Sequence, residues 1–219
     1  MDSSSKSSNE QIKNLYHRYK NCTDCDLHKI RNQIITGSGN PDANIFIIVD
    51  KVTKAAVRGS SVLAGPEKEL LGAVFKGTGP ASVWVSPVVL CSNLDVKDPK
   101  VSELRACKKR LEREIHLVQP KIVLALGGNA AKTMFPKRAP AILTNAGKLF
   151  ESQIQGDLVS YAVPVMISYS LSYLLRNPDN SPGGLWNKFY NHIRSVHLIA
   201  EDLCSLKDST YDKPTGCYN

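Results

Sequence analysis

Four of the six cysteines are spaced as metal ligands. Cys22 and Cys25 enclose Thr23 and Asp24 in a C-x2-C pair, and Cys91 and Cys107 form a second pair with fifteen residues between them. Four thiolates converging from such separate stretches suit either a tetrahedral zinc ion or a cubane iron-sulfur cluster, and ligand type alone does not separate the two. Unligated cysteine is also a common core residue. The polar, turn-forming residues inside the close pair favour ligation. Cys204 and Cys217 fall outside the spacing and read as free thiols.

The second pair must be held by a strand and a helix. Residues 83–90 (VWVSPVVL) form an apolar run of strand length, and Cys91 stands where that strand leaves its sheet. Leu104, Cys107, Leu111, Ile115 and Val118 recur at spacings of three and four, which predicts a helix over 102–118 with Cys107 facing inward. Arg105, Lys108, Lys109, Arg110 and Arg113 lie beside or opposite that stripe, with Glu112 and Glu114 among them. Such a face is either ordinarily solvated or a surface for a polyanion. The formal charge of +8 makes DNA or RNA the commonest class of partner.

The chain is long enough for one substantial core, at 219 residues. The first residues hold no apolar signal segment, and no window is long and apolar enough to cross a bilayer, so the expectation is a soluble intracellular protein. Residues 1–9 read as a disordered polar tail, 10–205 as one domain and 206–219 as a polar tail. A helix is expected over 10–20, a buried strand over 44–50 (NIFIIVD), a loop over 51–64 turning at Gly59, and a helix over 66–75 opened by Pro66. Residues 120–128 read as a strand and glycine turn into a helix over 129–135, whose unpaired N–H groups at Gly128 and Asn129 could receive phosphate. The pattern is no dinucleotide or Walker fingerprint. A hairpin over 145–168, a helical turn within 170–177 and a long helix from Trp186 to Leu203 complete the chain, with His192 and His197 as ordinary helix residues. Strands near 44, 83, 121 and 163 alternating with helices predict a three-layer α/β/α fold around a four-stranded parallel sheet. Its ligands bind beyond the carboxyl ends of the strands, at 49–53, 86–90, 126–129 and 168–171.

With those segments in view, the chain resembles the family 4 uracil-DNA glycosylases, the iron-sulfur type, and the related domain attached to some bacteriophage DNA polymerases. The resemblance is carried by CTDCDLHKIR, NIFIIVD, VWVSPVVLC, ELRACKKRLEREIHLVQPKIVLALGGNAAKTMF, NAGKLFE and SYSLSYLLRNP, in the family's order, over about residues 10 to 195. It implies a structural 4Fe-4S cluster on Cys22, Cys25, Cys91 and Cys107, with zinc as the alternative. The catalytic positions depart from the family. Its G-E-A-P-G motif reads Val49-Asp50-Lys51-Val52-Thr53 here, which keeps a carboxylate only at Asp50. The base-stacking aromatic is replaced by Val62, the uracil-reading asparagine by Pro87, and the histidine and proline of H-P-S by Ser170 and Leu171. Loss of one preorganised donor costs about 100- to 1,000-fold in rate, and several are missing together.

Three functions follow as expectations: a catalytically degenerate member that binds DNA; an active glycosylase for uracil or a modified base, with Asp50, Asn129, Ser168 or Ser170 rearranged to serve it; and a structural accessory of a replication or repair protein such as a polymerase. The DNA contacts expected are Lys108, Lys109, Arg113, Gly128, Asn129 and Arg176, in a bacterial or phage-infected cytoplasm.

Overall fold

A computed structural model describes residues 7–78, 81–95, 97–156 and 159–201, and the backbone of 209, 210, 213 and 214. Helix α1 (Ser8–Tyr19) is capped by Ser7, whose hydroxyl accepts from the Glu10 N–H at 3.4 Å, so residues 7–9 belong to the helix entrance rather than to a loose tail. After the first cysteine pair come α2 (Leu27–Ile30) and the short strands β1 (Gln33–Ile34) and β2 (Ser38–Gly39). Strand β3 (Ile45–Val49) is buried at every position, as a central parallel strand covered on both faces must be. The expected loop over 51–64 contains a helix instead, α3 (Lys54–Arg58). Thr53 caps it by accepting from Ala56 N at 3.3 Å, and Gly59 closes it. Five residues are too few to show a helical period in sequence.

The chain continues through α4 (Gly65–Thr78), β4 (Val83–Pro87), β5 (Cys91–Ser92), α5 (Val101–Val118), β6 (Ile122–Leu126) and α6 (Gly128–Met134). Then follow α7 (Ile142–Asn145), the hairpin of β7 (Leu149–Gln155) and β8 (Ser160–Ser168), α8 (Leu171–Arg176) and α9 (Leu185–Ala200). Within the expected tail, β9 (Ser209–Thr210) and β10 (Lys213–Pro214) pair antiparallel. Leu203, Cys204 and Cys217 lie outside the described residues.

The main sheet has the order β2-β4-β3-β6-β8-β7. The four strands expected from sequence, β4, β3, β6 and β8, are its parallel centre. The expected strand number is corrected to six, because β2 and β7 add an antiparallel edge on each side. Neither edge announces itself as an apolar run: β2 is Ser-Gly, and β7 alternates buried and exposed residues.

Alternation along the central strands divides the core in two. Ile45, Ile47, Val49, Ile122, Leu124 and Leu126 face one layer, which includes α3, α4, α8 and α9. Phe46, Ile48, Val123 and Ala125 face the other, with Ile12 of α1, Leu104, Leu111 and Ile115 of α5, and Ala130 of α6. The chain leaves β3 toward β4 on one side and returns to β6 on the other. The crevice between the carboxyl ends of β3 and β6 is therefore the topological switch point, where sheets of this kind receive ligands.

Candidate functional site

Cys22 and Cys25 lie between α1 and α2, Cys91 opens β5, and Cys107 is one turn and a half into α5. The β1–β5 ladder, pairing Ile34 with Cys91, pins the strand exit beside the segment that follows the first pair. All four cysteines are free, half-buried and line one cavity of about 20 Å³, closed by Tyr19, Leu27, Ile34, Val89 and Leu90. Burial raises the pKa values of Cys22, Cys25 and Cys91. Two arginines reach the sulfurs: Arg31 Nη1 donates to Cys91 Sγ at 3.4 Å and Arg110 Nη2 to Cys107 Sγ at 3.6 Å. Among the described residues, no group of three or more His, Cys, Asp or Glu side chains is arranged to hold one metal ion. The donor set is thus four sulfurs around a single chamber.

Arg110 does not belong to the basic face that the sequence assigns it. It is fully buried and forms a 2.7 Å ion pair with fully buried Glu114. Its other bonds run to Ser86 Oγ (2.9 Å), the Pro87 carbonyl (2.7 Å) and the Val88 carbonyl (3.1 Å). Glu114 accepts in addition from Trp84 Nε1 at 2.6 Å, from Ser86 Oγ at 2.9 Å and from the Tyr16 hydroxyl. Tyr16 is held neutral, its pKa raised far above the ordinary value by burial and by Glu114, and it in turn accepts from the Gly37 N–H at 2.8 Å. One polar cluster therefore joins α1, the exit of β4 and the cysteine-bearing turn of α5. Glu112, expected on the solvated face, is buried as well and pairs with Lys108. The missed signal is helical phase: Arg110 and Glu114, at three and seven residues beyond Cys107, fall inside the apolar stripe.

At the switch point the carboxylate of Asp50 crosses to the start of α6. One of its oxygens accepts from the N–H groups of both Asn129 and Ala130, the latter at 3.1 Å. Burial raises the Asp50 pKa, and these two bonds oppose the shift. Gly127 makes the approach possible: its φ is +97°, and a Cβ there would stand 2.6 Å from Asp50 Cγ. The Pro87 carbonyl is taken by Arg110, and Ser170 Oγ caps α8 by accepting from Tyr173 N at 3.3 Å. Val62 and Leu171 are buried in the core layer of α3, α4, α8 and α9. Ser168 Oγ bonds His192 Nδ1 at 2.8 Å, with Tyr169 stacked on the imidazole. Both His192 and His197 are buried in α9.

The family model described as the uracil DNA glycosylase superfamily matches residues 36–194. The chain belongs to the uracil-DNA glycosylase superfamily. Its similarity to the type-4 uracil-DNA glycosylase of Pyrobaculum aerophilum is 26% identity over 172 residues, covering 76% of this chain and 86% of that one. The type-4 enzyme of Saccharolobus solfataricus is 24% identical over 89% of this chain and 84% of its own, and that of Thermotoga maritima 25% over 78% and 86%.

At Asp50, Pro87 and Ser170, three of the positions singled out from the sequence, one carboxylate oxygen, the carbonyl and the hydroxyl respectively are engaged in internal bonds. The expected phosphate donors at the α6 entrance fare likewise: the Asn129 N–H serves Asp50, the Asn129 side chain is buried, and Gly128 is half-buried. Of the expected basic contacts, Lys109 is exposed, Lys108 is half-buried in its pair with Glu112, and Arg113 is half-buried beside α1, lining a hollow with Gln11, Asn14 and Arg18. Arg176 is exposed, with Nε donating to the Ser172 carbonyl at 3.2 Å. A groove of about 220 Å³ between α5 and α6 is lined by Arg105, Lys108 and Lys132 without a carboxylate. One unforeseen acid is Glu67 of α4, buried, accepting from the Ser172 hydroxyl, with its pKa raised by burial against the effects of Ser172 and Lys51.

Proposed function

We propose that this protein is a uracil-DNA glycosylase scaffold whose base-excising pocket is closed from within, retained as a DNA-binding accessory of repair or replication. The observation that carries the reading is Asp50: the one carboxylate left at the catalytic motif spans the switch-point crevice and caps α6. The two backbone hydrogen bonds fix this carboxylate through one oxygen, so it could orient water beside a flipped nucleotide only through the other and only in that fixed direction. Arg105 and Lys132 supply phosphate contacts along the α5–α6 groove, with exposed Lys109 beside them and Lys108 held by Glu112. Binding of this kind weakens with salt and carries little sequence preference.

The four thiols are read as ligands of the 4Fe-4S cluster that the resemblance implies, with zinc as the alternative. One zinc ion draws four sulfurs to about 2.3 Å from a single centre. A cubane places each thiolate on its own iron and asks for wider spacing. Four cysteines around one chamber supply a sulfur-only donor set, which suits either group. When bound, the cluster supplies cross-links between distant chain segments.

The test is one preparation measured two ways: iron and sulfide content, then uracil excision and DNA affinity across a salt series. The expected result is a cluster-bearing protein with salt-sensitive binding and background excision. Alkali-labile breakage at uracil, at a rate above background, overturns it. A second reading rests on Glu67, a buried acid near Lys51 and bonded to Ser172 close to the end of β8. An active enzyme with displaced catalytic groups would use it, and Glu67→Gln would then abolish the cleavage.

A further inference from the structure

We propose that Arg31 and Arg110 are a pair of guanidinium clamps on the thiolate site, setting both how firmly it holds its cluster and the cluster's reduction potential. The inference rests on the reading that the four cysteines bind a cluster, and it assigns a role to two residues outside the ligand set.

Each arginine bridges chain segments as well as touching a sulfur. Arg31 Nη1 donates to the Cys22 carbonyl at 2.8 Å and to Cys91 Sγ at 3.4 Å, while Nη2 reaches the Lys20 carbonyl at 3.4 Å. It thereby ties the turn bearing the first pair to a ligand of the second. Arg110 Nη2 spans the carbonyls of Pro87 and Val88 and Cys107 Sγ, so the β4 exit and the α5 ligand are held by one planar group. Lysine has no fork able to repeat either arrangement. Four thiolates leave a cubane centre net negative, and hydrogen bonds to the sulfurs together with local charge set its potential. N–H donation to two different ligand sulfurs favours the reduced state and holds those sulfurs in place, the charge of Arg110 being matched by Glu114. Partners of this sort change metal affinity by about 10- to 100-fold when removed.

The discriminating variant is Arg31→Gln, because Arg31 is only half-buried whereas loss of Arg110 strands Glu114. Full-length parent, Arg31→Gln and Arg31→Lys are compared for iron and sulfide content, bleaching of visible absorption by a chelator, midpoint potential and thermal unfolding. Arg31→Gln is expected to bleach about 10- to 100-fold faster, with a more negative midpoint. Arg31→Lys is expected to recover the potential more than the retention. Arg110→Lys extends the test to the buried clamp through the same spectral readouts. If the parent carries its cluster and Arg31→Gln matches it in bleaching rate and potential, the clamp is refuted while the cluster stands. A parent that purifies without iron and sulfide removes the cluster reading and the clamp together.

Discussion

Glu114→Gln tests the buried polar cluster at its centre. Glu114 receives four donors, and two of them, Trp84 Nε1 and Arg110 Nη1, have no acceptor capacity and approach different carboxylate oxygens. Whichever way a glutamine amide is turned, its NH2 faces one of those two. The guanidinium also keeps its charge in full burial without a counter-charge. Removing one partner of a buried pair costs about 3–5 kcal/mol, a large part of the roughly 5–15 kcal/mol that a domain has. At about 2–4 °C per kcal/mol for a chain of this size, the midpoint should fall by about 6–20 °C. Urea titration followed by tryptophan fluorescence measures the loss, with an unchanged m-value confirming that the native state remains compact. Asp26→Asn, which breaks the exposed Lys29–Asp26 pair, serves as control and should leave the transition where it is. Removing both charges, as Arg110→Met with Glu114→Gln, should not restore the parent, because the Pro87 and Val88 carbonyls then lose their donor. A loss below about 1 kcal/mol for Glu114→Gln would refute the assignment of a buried ionic pair.

Three more outcomes are expected. His192 titrates at about 4, pulled down by burial and then by Lys188, against about 6.5 unfolded; its contribution of about 3 kcal/mol is complete above pH 6.5 and lost as pH falls toward 4, so His192→Gln should flatten the acid limb of stability measured by urea titration. Glu67 acts in the opposite sense: its raised value means that the folded state holds the proton more tightly, so stability falls as pH rises through the folded pKa, and Glu67→Gln should remove that slope. Arg105→Ala and Lys132→Ala should each reduce the slope of log affinity against log salt by about 0.9 for duplex DNA, measured by fluorescence anisotropy.

The four parallel strands and the α5 stripe were legible because burial on both faces or on one stripe leaves a direct periodic trace in residue type. The edges were not, since β2 pairs through a Ser-Gly dipeptide and β7 shows its outer face to solvent. The cysteine set stands out by its spacing, and all four of its members line one chamber. At Arg110, Glu112 and Glu114 charge suggests exposure, yet all three are buried, and helical phase places two of them inward. Asp50 stands out in the sequence as a carboxylate at a strand end, but its destination does not, because the bond to α6 joins residues about eighty positions apart. No local pattern encodes such a contact.

Arg110 reaches the carbonyls at the β4 exit with the same nitrogen that touches Cys107, so the rim of the sheet and the sulfur chamber share a wall. Easing that end of the guanidinium would disturb the strand exit and, through Glu114 and Tyr16, the first helix together. A change at the thiols is therefore felt at the mouth of the sheet, because one planar group braces both.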